Sequence, residues 1–166
     1  MGLGVLAADS PTSTPASQSP AIESFQIRNK KSGDLLRPED ANSADGTRIV
    51  LYPAQSWKCM TWKLHPAGDS VFQFQNHFTS KTFAAKPTDS TAVVQVPFAR
   101  EAKDRPAWRL TKLSGGFYQI SEPKSGKALT ARAAEGGAMG IVTASWEAKD
   151  EQKWELIKTD PAKLTM

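Results

Sequence analysis

Period-two alternation of apolar and polar residues marks three segments of the chain: FQIRN at 25–29, VFQFQN at 71–76 and FYQIS at 117–121. Successive side chains of a strand point to opposite faces, so each segment predicts a half-buried β-strand. Each is followed by a polar turn (KSGD, TSKT or KSGK) of the kind that returns a chain on itself. RIVLY, AVVQV and GIVTA predict a third strand in each unit, and TWKL, AWRL and KWELI a fourth. No stretch sustains a helical period; Ala41 to Ala44 and Ala131 to Glu135 have room for one helical turn at most.

The units are copies of one another. Trp62, Trp108 and Trp154 recur at intervals of 46 residues, each followed by a charged residue and Leu. Phe72 and Tyr118 stand 36 residues before their Trp, and Phe25 stands 37 before Trp62, so the first copy carries one extra residue. Ser32-Gly33, Thr79-Ser80 and Ser125-Gly126 match, Leu36, Phe83 and Leu129 follow at equal distance, and Val50, Val96 and Val142 each lie twelve residues before their Trp. So many matches in register exclude coincidence. A unit of four short strands suits a propeller blade or a trefoil unit, and three units are fewer than the four or more of a propeller. The expected fold class is therefore all-β, a β-trefoil of three ~46-residue four-stranded repeats at about 24–69, 70–115 and 116–160. Closing them into a barrel removes exposed strand edges.

Residues 1–23 and 161–166 read as tails outside this domain of 24–160. Ser10 to Pro20 holds nine Ser, Thr or Pro residues in eleven, too little apolar surface to offset ordering, and is expected to be disordered. The VLAADS segment resembles the end of a secretory signal, without a basic start and with a short apolar part, so the expected location is secreted or cell-surface.

Composition narrows the function by exclusion. The chain has 166 residues, 39% apolar and 23% charged, with no apolar run approaching the ~18 residues of a spanning helix, so no membrane insertion is expected. Net charge is +4, but basic residues are interleaved with acids, as in KDRPAWR and EAKDEQKWE, and give nucleic acid no basic face. Cys59 is the single cysteine and His65 and His77 the only histidines, which excludes an internal disulfide and a multi-cysteine zinc site. Asp40, Asn42 and Asp45-Gly46 approach a calcium loop, with spacing off by one and no closing Glu. No nucleophile elbow, phosphate-cradling glycine loop or paired carboxylates stand out, so no cofactor, no metal and no enzyme are expected.

The third unit contains the Q-x-W motif Gln152-Lys153-Trp154 and the turn KSGKAL at 124–129; the first contains GTRIVLY at 46–52. Together these resemble ricin B-type β-trefoil lectin domains, a carbohydrate-binding module family, over about Ser24 to Asp160. The resemblance implies core packing for Trp62, Trp108 and Trp154 and hydrogen bonding within the unit for Gln152; Met60 and Pro106 replace that Gln elsewhere. It also implies a sugar pocket made by an Asp after the turn, an aromatic ring about ten residues before the Trp, and an Asn just before Q-x-W. This chain departs from each Asp position (Arg37, Ala84, Thr130) and each Asn position (Cys59, Arg105, Glu151), and holds Tyr52, Phe98 and Ala144 at the aromatic positions.

The first unit is the best candidate site. Tyr52 and Trp57 offer ring faces to the C–H face of a sugar, and the neighbouring loop at 37–46 offers Arg37, Asp40 and Asn42 to its hydroxyls. Arg37 has the two-pronged geometry for a carboxylate or sulfate of an acidic glycan. Trp146, followed by EAKDE, marks a second candidate, and the second unit is expected to be silent. The expected function is a non-catalytic carbohydrate-binding module whose partner is a glycan or polysaccharide, acidic sugars included. The alternative is a protein-interaction trefoil with a protein partner, such as a protease inhibitor or toxin-associated subunit, since fold does not fix function.

Overall fold

The computed structural model describes residues 22–101, 105–133 and 139–165. The Ser/Thr/Pro-rich segment and the VLAADS motif lie outside the described residues, as do Ala134 and Glu135. The first unit contains β1 (Glu23–Asn29), β2 (Leu35–Pro38), β3 (Ile49–Tyr52) and β4 (Thr61–Gly68). The second contains β5 (Val71–Asn76), β6 (Thr82–Lys86), β7 (Asp89–Val96) and β8 (Trp108–Lys112). The third contains β9 (Tyr118–Ser121), β10 (Ala128–Ala133), β11 (Met139–Ala144) and β12 (Trp154–Lys158).

The first and fourth strands of the units make the barrel. The antiparallel pairs β1–β4, β4–β5, β5–β8, β8–β9, β9–β12 and β12–β1 form a closed ring of six. The second and third strands make three hairpins, β2–β3, β6–β7 and β10–β11, which meet through β3–β11, β7–β11 and the Arg48–Val94 bridge. This is the β-trefoil. Closure pairs β1 with β12 over Phe25–Lys158 to Asn29–Trp154, so the last strand completes the sheet that the first begins.

The repeated residues are the ones that tie hairpins to barrel. Trp62, Trp108 and Trp154 are fully buried in one core with Ile27, Phe74, Phe83 and Leu129. Each indole Nε1 donates to the backbone carbonyl of the apolar residue repeated beside its turn: Leu36 at 3.0 Å, Phe83 at 3.2 Å and Leu129 at 3.0 Å. A buried indole N–H needs such a partner, because leaving it unpaired in the core carries the full desolvation penalty. Asn29 and Asn76 supply a second tie. Their side chains accept from amides two and three residues on and donate to the carbonyls of Glu151 and Cys59, joining the first unit to the third and the second to the first.

Three local expectations change. The helical turn expected at 41–44 is a 3-10 turn two residues earlier, Glu39–Ala41, with Asp40 and Ala41 in the left-handed region. Ala131–Ala133 are strand, because their backbone pairs with Met139–Ile141. Residues 161–165, read as a tail, fold back: Pro161–Lys163 form a 3-10 turn capped by Asp160, and Thr165 bridges Trp57 in parallel, with Lys58 N donating to Thr165 O and Thr165 N to Ser56 O.

Candidate functional site

β2, β3 and the Tyr52–Met60 loop bring four of the five candidate residues together. Tyr52 ends β3 and Trp57 precedes the 3-10 turn Lys58–Met60; their rings stand 5.8 Å apart at 30°. Beneath Tyr52 lies Arg37, from β2, whose guanidinium carbon sits 3.9 Å from the ring centroid. The Arg37 side chain is 10% exposed and its Nε is buried without a hydrogen-bond partner. The β2–β3 register sets this, pairing Leu35 with Tyr52 and Arg37 with Val50, so Arg37 and the ring cover the same face of the hairpin.

Asp40 stands at the edge of this group. Its carboxylate is 88% exposed and lies 3.8 Å from Arg37 Nη2, held out by the left-handed backbone at 40 and 41. Trp57 is half-buried against Leu35, Cys59 and Met60, with one side anchored and the C-terminal strand segment alongside. Cys59, at the family's Asn position, is buried beside Arg37; burial pushes its thiol up and the guanidinium opposes the shift. Asn42 belongs to a different set of contacts. Its Oδ1 accepts from Ala44 N, and its backbone carbonyl, with that of Ala44, accepts from the buried Gln95. Gln95 also accepts from Thr79, and Lys81 pairs with Asp45 at 2.6 Å, so the second unit holds the loop of the first. Asp45 thus has an ammonium partner.

The matching places in the other units differ. Phe98 is drawn onto the buried ring of His65, 4.9 Å away, leaving beside Ala84, Arg105 and Pro106 a hollow of about 260 Å³ with no aromatic wall. In the third unit Thr130 Oγ1 accepts from Gln152, which also donates to Ser145 O and accepts from Glu147 N. Gln152 therefore grips the residues on both sides of Trp146, in keeping with a bond within the unit. A cavity of about 530 Å³ is the open barrel mouth, ringed by Phe25, Phe72 and Tyr118 over Leu64, Leu110 and Leu156. It follows from repetition of one apolar position in each unit and lies on the side away from the hairpin loops.

A closed six-stranded barrel with three hairpins defines the class: a β-trefoil. The family model for the ricin-type beta-trefoil lectin domain matches residues 23–154, and the chain belongs to that family. No curated protein sequence matches the chain. In structure it resembles the designed threefold symmetric protein ThreeFoil, at 24% identity and TM-score 0.74 over 82% of this chain and 99% of that one. It also resembles the Rhizoctonia solani agglutinin, at 18% identity and TM-score 0.70, covering 90% and 100%. The earthworm lectin C-terminal domain mutant in complex with 6'-sialyllactose is similar at 16% identity and TM-score 0.64, covering 82% and 99%.

Three residues near Trp146 were not legible as a group: Lys30, Phe117 and Lys153 come from three separate segments. Only the turn of the first unit, folding onto the third, brings Lys30 there, and no local pattern signals it.

Proposed function

We propose that this chain is a non-catalytic carbohydrate-binding module whose first-unit site is built on Tyr52 and Trp57. The observation that carries the reading is the surface pair of rings backed by a buried guanidinium. A pyranose stacks its C–H face on these rings, and the exposed Asp40 carboxylate accepts from its hydroxyls, taking over from the Asp that the family places at position 37. Arg37 acts as a positioning residue: its charge under the Tyr52 ring, an attraction of about 0.5–2 kcal/mol in such geometry, fixes the platform. Asn42 contributes through the loop, by its bonds to Ala44 and Gln95. Family membership supports the reading, as does the occurrence of glycan complexes among similar folds: the earthworm lectin C-terminal domain mutant carries 6'-sialyllactose, and the earthworm R-type lectin C-half carries GalNAc. Export of the chain, read from the VLAADS segment, belongs to the same proposal.

The test is a broad array of neutral, sialylated, uronic and sulfated glycans, run with the wild type, Trp57→Ala and Tyr52→Ala, with circular dichroism on each. At least one specific glycan signal that both substitutions remove while the fold persists is the expected result. No signal from a folded wild type overturns the reading and leaves the protein-interaction alternative.

A further inference from the structure

A second groove lies on the third unit, away from Tyr52 and Trp57. It has a volume of about 410 Å³, and its walls include Lys30, Leu113, Gly115, Phe117, Trp146 and Lys153. None of the family's sugar positions in this unit, Thr130, Ala144 and Glu151, lines it. Two aromatic rings and two ammonium groups meet here, drawn from the turn after β1, the β8–β9 hairpin and the loop between β11 and β12.

The lysines are neighbours because of the backbone. Lys30 N donates to Lys153 O at 2.9 Å, so the first-unit turn lies on the start of β12. Both ammonium groups share one carboxylate, Asp150, at 3.3 Å from Lys30 and 3.8 Å from Lys153, which leaves the cluster with a surplus positive charge. Lys30 Nζ also stands 4.9 Å over the Phe117 ring. The rings are held in place. Gly115, beside the Phe117 ring, holds the turn at φ 77°, a left-handed backbone that favours glycine. Trp146 is gripped from both sides by Gln152, through Ser145 O at 2.8 Å and Glu147 N at 2.8 Å, and the chain then turns through Ala148 at φ 59°. Gln152 is the one copy of this position that remains Gln, and Met60 and Pro106 cannot make such bonds. The surviving Q-x-W motif thus serves this groove.

We infer that this groove binds an acidic saccharide, with a sugar ring stacked on Trp146 and its carboxylate or sulfate between Lys30 and Lys153. Ring faces suit the C–H face of a sugar, and paired ammonium groups with a single shared counter-charge suit a fixed anion. The inference rests on the carbohydrate-binding reading above but uses a different site, so each can fail without the other.

The experiment measures binding of a polygalacturonate oligomer, a heparin oligosaccharide, a neutral galactan oligomer and a single-stranded oligonucleotide to the full chain by titration calorimetry. The variants are Trp146→Ala, Lys153→Gln and, as the control at the other site, Trp57→Ala. The expected result is that one of the acidic saccharides binds, that Trp146→Ala weakens it by tenfold or more, and that Lys153→Gln weakens it and flattens its salt dependence. Trp57→Ala leaves that binding unchanged. Acidic binding lost only in Trp57→Ala, acidic binding indifferent to Trp146 and Lys153, equal binding of the oligonucleotide, or no acidic binding by a folded chain would each overturn the inference. Loss of neutral-glycan binding alone touches only the first-unit site.

Discussion

Trp62, Trp108 and Trp154 carry the stability of the fold, each filling core volume and tying a hairpin to the barrel through one N–H. Replacing any of them with Ala should cost about 3–5 kcal/mol, read as a fall in the urea midpoint. The histidines make stability depend on pH. His65 lies against Phe98, bonds Gln75 through Nε2, and faces Arg100 and Lys63; its Nδ1 is buried without a partner. Burial first, then these cations, lowers its pKa from the ordinary 6.5, outweighing the bond to Gln75. His77, bonded to Ser24 and near Lys63 and Lys58, is lowered for the same first reason. A lowered folded-state pKa means that the unfolded chain takes up the proton first. Stability is therefore full above pH 6.5 and falls as pH drops from there toward the folded-state values. Urea midpoints at pH 7.5 and 5.5 should differ for the wild type and converge in a His65→Gln, His77→Gln double variant; equal midpoints in the wild type would remove this account.

The elements most exposed to function are the two loops and what braces them. The segment Ser56–Lys58 is braced by Thr165 through two backbone bonds. A chain ending at Asp160 should fold but lose protection of the Lys58 amide in hydrogen exchange, and with it rigidity of Trp57. Weaker first-unit binding without a change in the urea midpoint is the expected companion. In the third unit, Gln152→Ala removes two bonds to the residues flanking Trp146 and a third to Thr130. About 1–3 kcal/mol of destabilisation should accompany a loss of fixed Trp146 geometry, visible in its fluorescence anisotropy.

The molecule is one closed ring, and closure depends on the ends of the chain. β12 pairs with both β1 and β9, and Arg28 meets Glu155 across that seam at 2.7 Å. A chain stopped at Lys153 leaves β1 and β9 with open edges and removes Trp154 from the core, so it should fail to give a cooperative unfolding transition, measured by circular dichroism in urea. Contacts between strands far apart in sequence, such as β1 with β12, must form before the core is complete, which predicts slow folding for a chain of this size.

Periodicity of two, the 46-residue spacing of Trp and the matched turns were enough to give the trefoil, because those features are local and repeated three times. The pairing of Tyr52 with Trp57 was legible for the same reason: they are close in sequence on one polar loop. Arg37 was legible as a chemical group but not in its orientation, since its place beneath Tyr52 follows from the pairing of β2 with β3. The bracing of Asn42 by Gln95 and of Trp57 by Thr165 joins residues 53 and 108 positions apart, and the gathering of Lys30 with Phe117, Trp146 and Lys153 depends on ring closure. A repeat pattern records what each unit does alike. The grooves arise where the units differ and touch, and contact between distant segments leaves no period to read.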